Sequence, residues 1–383
     1  MPGDRITTST PVTASASLST TVLDTRQGLP AALDLKTLHV RYPWHWFAPV
    51  PLSRFAKTIE DQTIRWMHDL GLLKDTDTLQ QVWAMEPRHY AGYSHSMASF
   101  DHALAYCKYI TMWLLWDDHC VEPASTYTPD LADAIAALAG ESLPAHRRDT
   151  AYARAFAEIG NEYQRLGASL GWRRRFAGKM QEWARHAIAE QRVRKAGNPA
   201  GRSLQEALQL RAVTVGIRPN SLPLERAVGI ELPETILVQT EYTSLIDQAA
   251  LVCCLINDLV GVPKDLHQGQ HDSNLVLFHQ HVHRCPLAIS CAEIIRIHDA
   301  AVDDYDRLAL RLLQAAPTGF RERIATFIEH LRYMDTGFGF WHRDCTRYQR
   351  WLAVTDNQAL KVAIGARQAS VDDWRPSSSG PHH

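Results

Sequence analysis

Ala249-Ala250-Leu251-Val252-Cys253-Cys254-Leu255-Ile256-Asn257-Asp258-Leu259-Val260-Gly261-Val262-Pro263-Lys264-Asp265 is the stretch on which the reading of this chain turns. Residues 249–256 are all apolar. Together with the residues back to Pro233 they predict a long central helix over 233–262. Pro233 suits a first helical turn, where no intrahelical N–H bond is lost. Asn257, Gly261 and Asp265 follow at i, i+4 and i+8, on one helix face. An amide oxygen and a carboxylate are hard ligands suited to magnesium, and Lys264 beside them suits a phosphate as a point charge. Gly261 and Pro263 would cost an exposed helix about 1 and about 3 kcal/mol. Poor helix chemistry beside good ligand chemistry points to a site. The competing reading ends the helix near Val260 and puts a polar loop after it.

A second stretch has the same build. The apolar run Ile110-Thr111-Met112-Trp113-Leu114-Leu115-Trp116 leads into Asp117-Asp118-His119-Cys120-Val121-Glu122. Carboxylates next to buried apolar residues need a cation to neutralise them. In an α-helix Asp118 and Glu122 share a face, whereas Asp117 is rotated by about 100 degrees. Asp118 is therefore expected as the principal metal ligand with Glu122 beside it, and Asp117 as a group that positions the cluster or holds a neighbouring cation. A helix C-terminus, where the dipole is already negative, disfavours three acids. The structural alternative is a solvated helix end. Asp303-Asp304-Tyr305-Asp306 is also acidic and reads as a surface helix face.

Around these stretches the pattern is helical throughout. Helices are predicted over about 54–72, 97–119, 128–140, 147–168, 172–194, 203–215, 288–315 and 320–349 in addition to the central one. Alternating β-branched segments are scarce, so the expected architecture is an all-α, single-domain bundle around a central cavity. Residues 1–35, rich in Ser, Thr and Ala, read as a flexible leader. Residues 36–355 read as the helical domain and 356–383 as a C-terminal tail.

The bulk properties exclude several classes. The chain has 383 residues, 45% hydrophobic and 21% charged, with a net charge of −2. That balance argues against a nucleic-acid partner. No uninterrupted apolar run reaches the roughly 18 residues of a membrane span, and no secretory leader pattern occurs. Seven cysteines without a CxxC pair suit free thiols in a reducing, cytoplasmic setting. His279-Gln280-His281-Val282-His283, with His267 and His271 nearby, reads as a short helix and surface loop, since no acid or cysteine clearly completes a tetrahedral metal set. Met85-Glu86-Pro87-Arg88-His89 reads as a loop.

Two basic segments remain. Arg211 stands 46 positions before Asn257, in Arg211-Ala212-Val213-Thr214-Val215-Gly216-Ile217-Arg218-Pro219-Asn220. Gly216 and Pro219 break a helix there, leaving unpaired carbonyls able to steer a cation. The alternative is a simple turn with a surface arginine. Near the C-terminus, Trp341-His342-Arg343-Asp344-Cys345-Thr346-Arg347-Tyr348 offers Arg347 as a fork for phosphate oxygens.

Taken together these segments resemble a class I terpene synthase of the bacterial and fungal type. Asp117 to Glu122 resembles the DDxxxE form of the family's aspartate-rich motif, and Asn257 to Asp265 its NDxxSxxKE motif. Arg211 matches the pyrophosphate-sensing arginine, Thr214 and Val215 the linker and effector positions of the helix-break motif, and Arg347-Tyr348 the terminal RY motif. The resemblance spans about residues 40 to 355. Two positions depart from the pattern. Gly261 stands where the family has Ser or Thr, so that side-chain ligand is missing and the position would be left to a water. Asp265 stands where Glu is usual, shortening the reach.

The resemblance implies a magnesium-dependent cyclase that ionises an isoprenyl diphosphate. Three magnesium ions would be held by Asp117, Asp118, Glu122, Asn257, the Gly261 position and Asp265. Arg211, Lys264, Arg347 and Tyr348 would grip the diphosphate. Tyr90, Trp113, Trp116 and Trp341 are candidate cavity walls for a carbocation, since aromatic faces attract cations; the alternative for each is plain core packing. Farnesyl diphosphate, giving a sesquiterpene, is the expected substrate, and geranylgeranyl diphosphate the main alternative. A chain-elongating prenyltransferase is disfavoured because the second motif begins with Asn, and a scaffold without catalysis rests only on Gly261 and Asp265. A homodimer is a further expectation, carried by no motif.

Overall fold

The computed structural model describes residues 37–141, 149–196, 202–270, 273–354 and 360–367. The expected leader, the expected tail beyond residue 367, and His271 lie outside the described residues. The described residues begin with β1 (Thr37–Tyr42) and a 3-10 turn at Trp44–Trp46. Four helices follow: α1 (Ala56–Asp69), α2 (Thr76–Met85), α3 (Pro87–Ser94) and α4 (Phe100–Trp116). A single π-helical turn, Asp117–Val121, prolongs α4. Next come α5 (Pro129–Leu138), α6 (Ala151–Arg165), α7 (Leu170–Ala196), α8 (Leu204–Thr214), α9 (Ile217–Ala227) and the short α10 (Glu234–Leu237). The C-terminal part holds α11 (Thr240–His267), α12 (Leu275–His283), α13 (Leu287–Ala315), α14 (Thr318–Asp344), α15 (Thr346–Val354) and β2 (Lys361–Ala366). The all-α expectation holds.

The helix ends follow local chemistry. Asp75, Thr128, Thr150 and Ser203 each accept a bond from a backbone N–H of the first turn, and Ser203 with Glu206 forms a reciprocal capping box. The predicted helix over 233–262 is corrected on two points. Pro233 caps the short α10 instead of opening the long helix, which starts at Thr240. The long helix also runs through Pro263 to His267, where Gly269 at φ 67° lets the chain turn away. Packing overrides the proline penalty, because α11 is the core. Leu245, Ala249, Val252, Leu255, Ile256, Leu259 and Val262 are all buried, and each large aliphatic side chain contributes about 1.5–3 kcal/mol on burial. By length and composition α11 is apolar enough to cross a membrane, with a mean hydropathy of 1.7 over its richest window. That apolar surface is covered by α8, α9, α12, α13, α14 and α15.

Beyond the helices, β1 and β2 pair in parallel, Thr37 opposite Lys361 and Tyr42 opposite Ala366. This corrects the expected tail over residues 360–367. Leu360 and Val362 are buried, and Arg367 bonds Asp303 at 2.6 Å and the carbonyl of Arg41 at 3.2 Å. The acidic run on α13 is likewise not a plain surface face. Tyr305 is fully buried, and Asp306 accepts bonds from Arg332 at 2.7 and 3.0 Å and from Trp46 at 3.2 Å.

Candidate active site

Three acids converge at the end of α4 because the helix widens there. Glu122 donates its N–H to the carbonyl of Asp117 at 2.9 Å, five residues back instead of four. Such π turns concentrate at functional sites. The expectation built on regular α-helical spacing, which turned Asp117 away from the other two, is corrected. Oxygens of Asp117, Asp118 and Glu122 all lie within 4.8 Å of one another. Burial first, then the charges of Glu122 and Asp118, hold the Asp117 carboxyl well above the usual carboxylate range. A crowded set of hard oxygens with one member pushed up in this way fits a divalent cation.

On α11, Asn257, Gly261 and Asp265 do lie along one continuous helix. The loop alternative beyond Val260 is excluded. Asn257 uses its amide nitrogen on Tyr348 Oη at 2.9 Å and His342 Nε2 at 3.0 Å, and its oxygen takes a bond from Arg211 at 3.1 Å. Asp265 accepts from Asn274 Nδ2 at 2.8 Å, with Lys264 Nζ 3.8 Å from its other oxygen. A Cβ at Gly261 would stand 3.0 Å from Asp265 Oδ2 and 3.6 Å from Asn274 Nδ2. The missing side chain is therefore the room in which this Asp–Asn pair sits.

Arg211 is not a surface group, only 14% of its side chain being exposed. Its guanidinium meets Asp258 at 2.5 and 3.2 Å and Thr214 Oγ1 at 3.3 Å, with Glu190 3.9 Å away. Burial opposes its charge, and Asp258 with Glu190 outweighs that and keeps it protonated. The helix breaks beside it, as expected from Gly216, which takes φ 87°. Pro219 falls in the first turn of α9 instead of ending a helix, and having no N–H it cannot bond the carbonyl of Val215. A Cβ at Gly216 would come 2.2 Å from Trp113, so the indole lies on the break itself. Trp183 Nε1 holds the carbonyl of Thr214 at 2.9 Å.

The two motifs meet through α15. Arg347 binds both oxygens of Asp118, each at 2.9 Å, and its neighbour Tyr348 binds Asn257. Burial pushes the Asp118 carboxyl up, but Arg347, Gln81 and Lys264 together hold it below its ordinary value. The segment read as a loop at Met85–His89 is the junction of α2 and α3, with Glu86 at φ 48°. It anchors this corner. Glu86 accepts from Thr346 Oγ1 at 2.7 Å, and the Met85 carbonyl accepts from Trp341 Nε1 at 2.7 Å.

Of the expected wall residues, Tyr90 and Trp341 pack together at 4.3 Å between ring centroids. Trp113 stacks on Tyr109 and meets Trp183 edge-on. Trp116 is fully buried and packs against Phe156 and also against Trp183, as core. Asp258, Glu190, Gln81, His342 and Asn274 were missed in the sequence. Asp258 carried a legible signal, since an acid inside an apolar helix demands a cation. Gln81 carried none. His342 is held neutral, its pKa lowered to about 3, chiefly by burial.

Comparison with known proteins adds an independent finding. The family model for "Terpene synthase family 2, C-terminal metal binding" matches residues 108–304. The chain is 24% identical over 367 residues to pristinol synthase of Streptomyces pristinaespiralis, covering 92% of this chain and 95% of that protein. It is 22% identical over 336 residues to 7-epi-alpha-eudesmol synthase ((2E,6E)-farnesyl diphosphate cyclizing) of Streptomyces viridochromogenes, covering 84% and 95%. Among solved structures, α-eudesmol synthase superposes with a TM-score of 0.64 at 21% identity, over 77% of this chain and 96% of that one.

Proposed function

The chain belongs to the terpene synthase family, and from that premise we propose that it ionises farnesyl diphosphate and cyclises the resulting cation to a sesquiterpene. The observation that carries this reading is the bridge made by Arg347 and Tyr348, which join Asp118 and Asn257 across one space. Farnesyl diphosphate is favoured over the twenty-carbon diphosphate because a relative matched along most of its length is named for cyclising it.

Asp117, Asp118, Glu122, Asn257 and Asp265 would hold magnesium, three ions being the proposed complement; Gly261 offers no side-chain donor. When bound, magnesium supplies positive charge that eases departure of the diphosphate. Arg211 arrives at the diphosphate already oriented, since Asp258 fixes its fork. Lys264 and Arg347 add two further cations, and Tyr348 adds a hydroxyl donor. Donors set in place before the reaction stabilise the charge developing on the leaving oxygen without reorganising. Trp113, lying over the helix break, and the Tyr90–Trp341 pair offer aromatic faces to a cation, each about 2 kcal/mol or more when desolvated. The seven cysteines are all free, which supports a reducing, cytoplasmic setting.

The test is product analysis. Purified protein with magnesium is given the ten-, fifteen- and twenty-carbon allylic diphosphates separately, and pentane extracts are analysed by gas chromatography with mass spectrometry. One or a few cyclic fifteen-carbon products from farnesyl diphosphate are expected. Products from the twenty-carbon substrate alone would replace the substrate assignment. Longer diphosphates formed only with isopentenyl diphosphate would mean chain elongation.

A further inference from the structure

A side chain outside all four motifs closes on the first acidic cluster. Gln81, on α2, donates its amide nitrogen to Asp118 Oδ2 at 2.6 Å, and its amide oxygen lies 3.0 Å from His119 Nε2. A carboxylate only accepts, which sets the amide with its nitrogen toward Asp118 and its oxygen toward His119. His119 must then donate through Nε2. Its other ring nitrogen lies 3.3 Å from Tyr152 Oη on α6, and that hydroxyl reaches the Leu115 carbonyl at 3.4 Å.

This chain of contacts begins and ends on one helix. Leu115 belongs to the last regular turn of α4, and Asp118 and His119 to the π turn that follows. Gln81 and Tyr152, from α2 and α6, thus tie the regular turn to the widened one. The widened turn is what brings oxygens of Asp117, Asp118 and Glu122 within 4.8 Å of one another. The same contacts divide the lone pairs of Asp118. Oδ2 accepts from Gln81 and from Arg347, whereas Oδ1 accepts from Arg347 alone. A carboxylate offers about four lone-pair sites, two on each oxygen, so the one left over is on Oδ1.

We propose that Gln81, backed by His119 and Tyr152, is a positioning residue for the metal centre: it braces the π turn and turns Asp118 so that Oδ1 is the oxygen offered to the cation. The proposal rests on the reading of Asp117, Asp118 and Glu122 as metal ligands. Gln81 acts on the cation only through Asp118. Without its donor, Oδ2 competes with Oδ1 for the cation. Without the brace, the turn is free to fall back to regular α-helical bonding, which rotates Asp117 away from the other two acids by about 100 degrees. Groups that orient metal ligands in this way are worth about 10- to 100-fold in metal affinity.

The test reads binding directly. Manganese stands in for magnesium, and its uptake by the full chain in the presence of inorganic diphosphate is followed as loss of the free-ion electron paramagnetic resonance signal. Gln81→Met keeps the bulk and removes the donor. It is expected to weaken manganese binding about tenfold or more, with circular dichroism and melting temperature unchanged. In turnover the loss should fall on the magnesium concentration for half-maximal rate more than on kcat. Tyr152→Phe, at the far end of the brace, should weaken binding in the same direction. The double variant should lose less than the product of the two single losses, because both act through one chain of contacts. Native-strength binding in either single variant, or losses that multiply in the double variant, would overturn the brace and leave the metal centre standing. A native chain that takes up no manganese would remove the metal reading and the brace with it.

Discussion

Arg347 closes on Asp118 with two parallel bonds of 2.9 Å, across 229 residues of sequence. The contact is a bidentate fork on a carboxylate, the geometry for which arginine is suited and lysine is not. It means that the first acidic motif and the C-terminal helix are already in register, and that Arg347 shares Asp118 with any cation bound there.

Removing that fork should affect turnover more than folding. Arg347→Ala is expected to lower kcat about 100-fold or more, the usual loss when one pre-set donor to a developing oxyanion is removed. Arg347→Lys should recover only part of it. Steady-state kinetics at saturating magnesium, with the melting temperature as control, checks this. A wild-type kcat in Arg347→Ala would remove the residue from the diphosphate grip.

Asp258 should behave differently from its neighbour Asn257. It is buried and pairs with Arg211, whose side chain keeps 14% of its surface exposed. Taking away one partner of a buried ion pair leaves an uncompensated charge, at about 3–5 kcal/mol. Asp258→Ala should therefore lose stability of that order in urea unfolding, whereas Asn257→Ala should keep the fold and lose turnover.

Gly261 separates a steric role from a ligand role. A methyl group there would stand 3.0 Å from Asp265 Oδ2 and must displace it. Gly261→Ala is expected to raise the magnesium concentration needed for half-maximal rate several-fold. Gly261→Ser adds the same bulk together with an oxygen donor and should recover part of the loss. Equal values for Ala and Ser would show that no ligand is wanted at this position.

Glu225 carries a pH dependence remote from the site. It is fully buried on α9 and pairs with Arg175, and burial raises its pKa from 4.5 to about 7 despite that partner. Because the folded-state value lies above the unfolded one, the folded chain holds this proton more tightly. The stability it contributes is full below pH 4.5 and is lost as pH rises to about 7. A rise of this size corresponds to about 3 kcal/mol. Glu225→Gln should flatten that part of the melting-temperature profile. Superimposable pH profiles for Glu225→Gln and the native chain would exclude the assignment.

Much of the site was legible because each motif is local. Asn257 and Asp265 share a face through helical spacing alone, and Gly216 breaks a helix wherever it adopts a positive φ. The reading failed where the backbone left regular geometry. Regular α spacing turned Asp117 away, and the π turn brought it in. It also failed where a partner came from far along the chain, as Gln81 does for Asp118 and Leu38 for Val362.

What belongs to the sequence in this protein is the set of helices, the helix break and the identity of the oxygen and cationic groups, since residues three to eight positions apart have their relative placement set by the covalent chain. What belongs to the tertiary structure is which groups face each other. Arg347 on Asp118, Tyr348 on Asn257 and Arg211 on Asp258 depend on how α11 is enclosed by its neighbours and on turns with special backbone geometry. Packing of the apolar faces selects those pairings, and apolar burial has no direction of its own. The polar contacts that give the site its chemistry take their places from it.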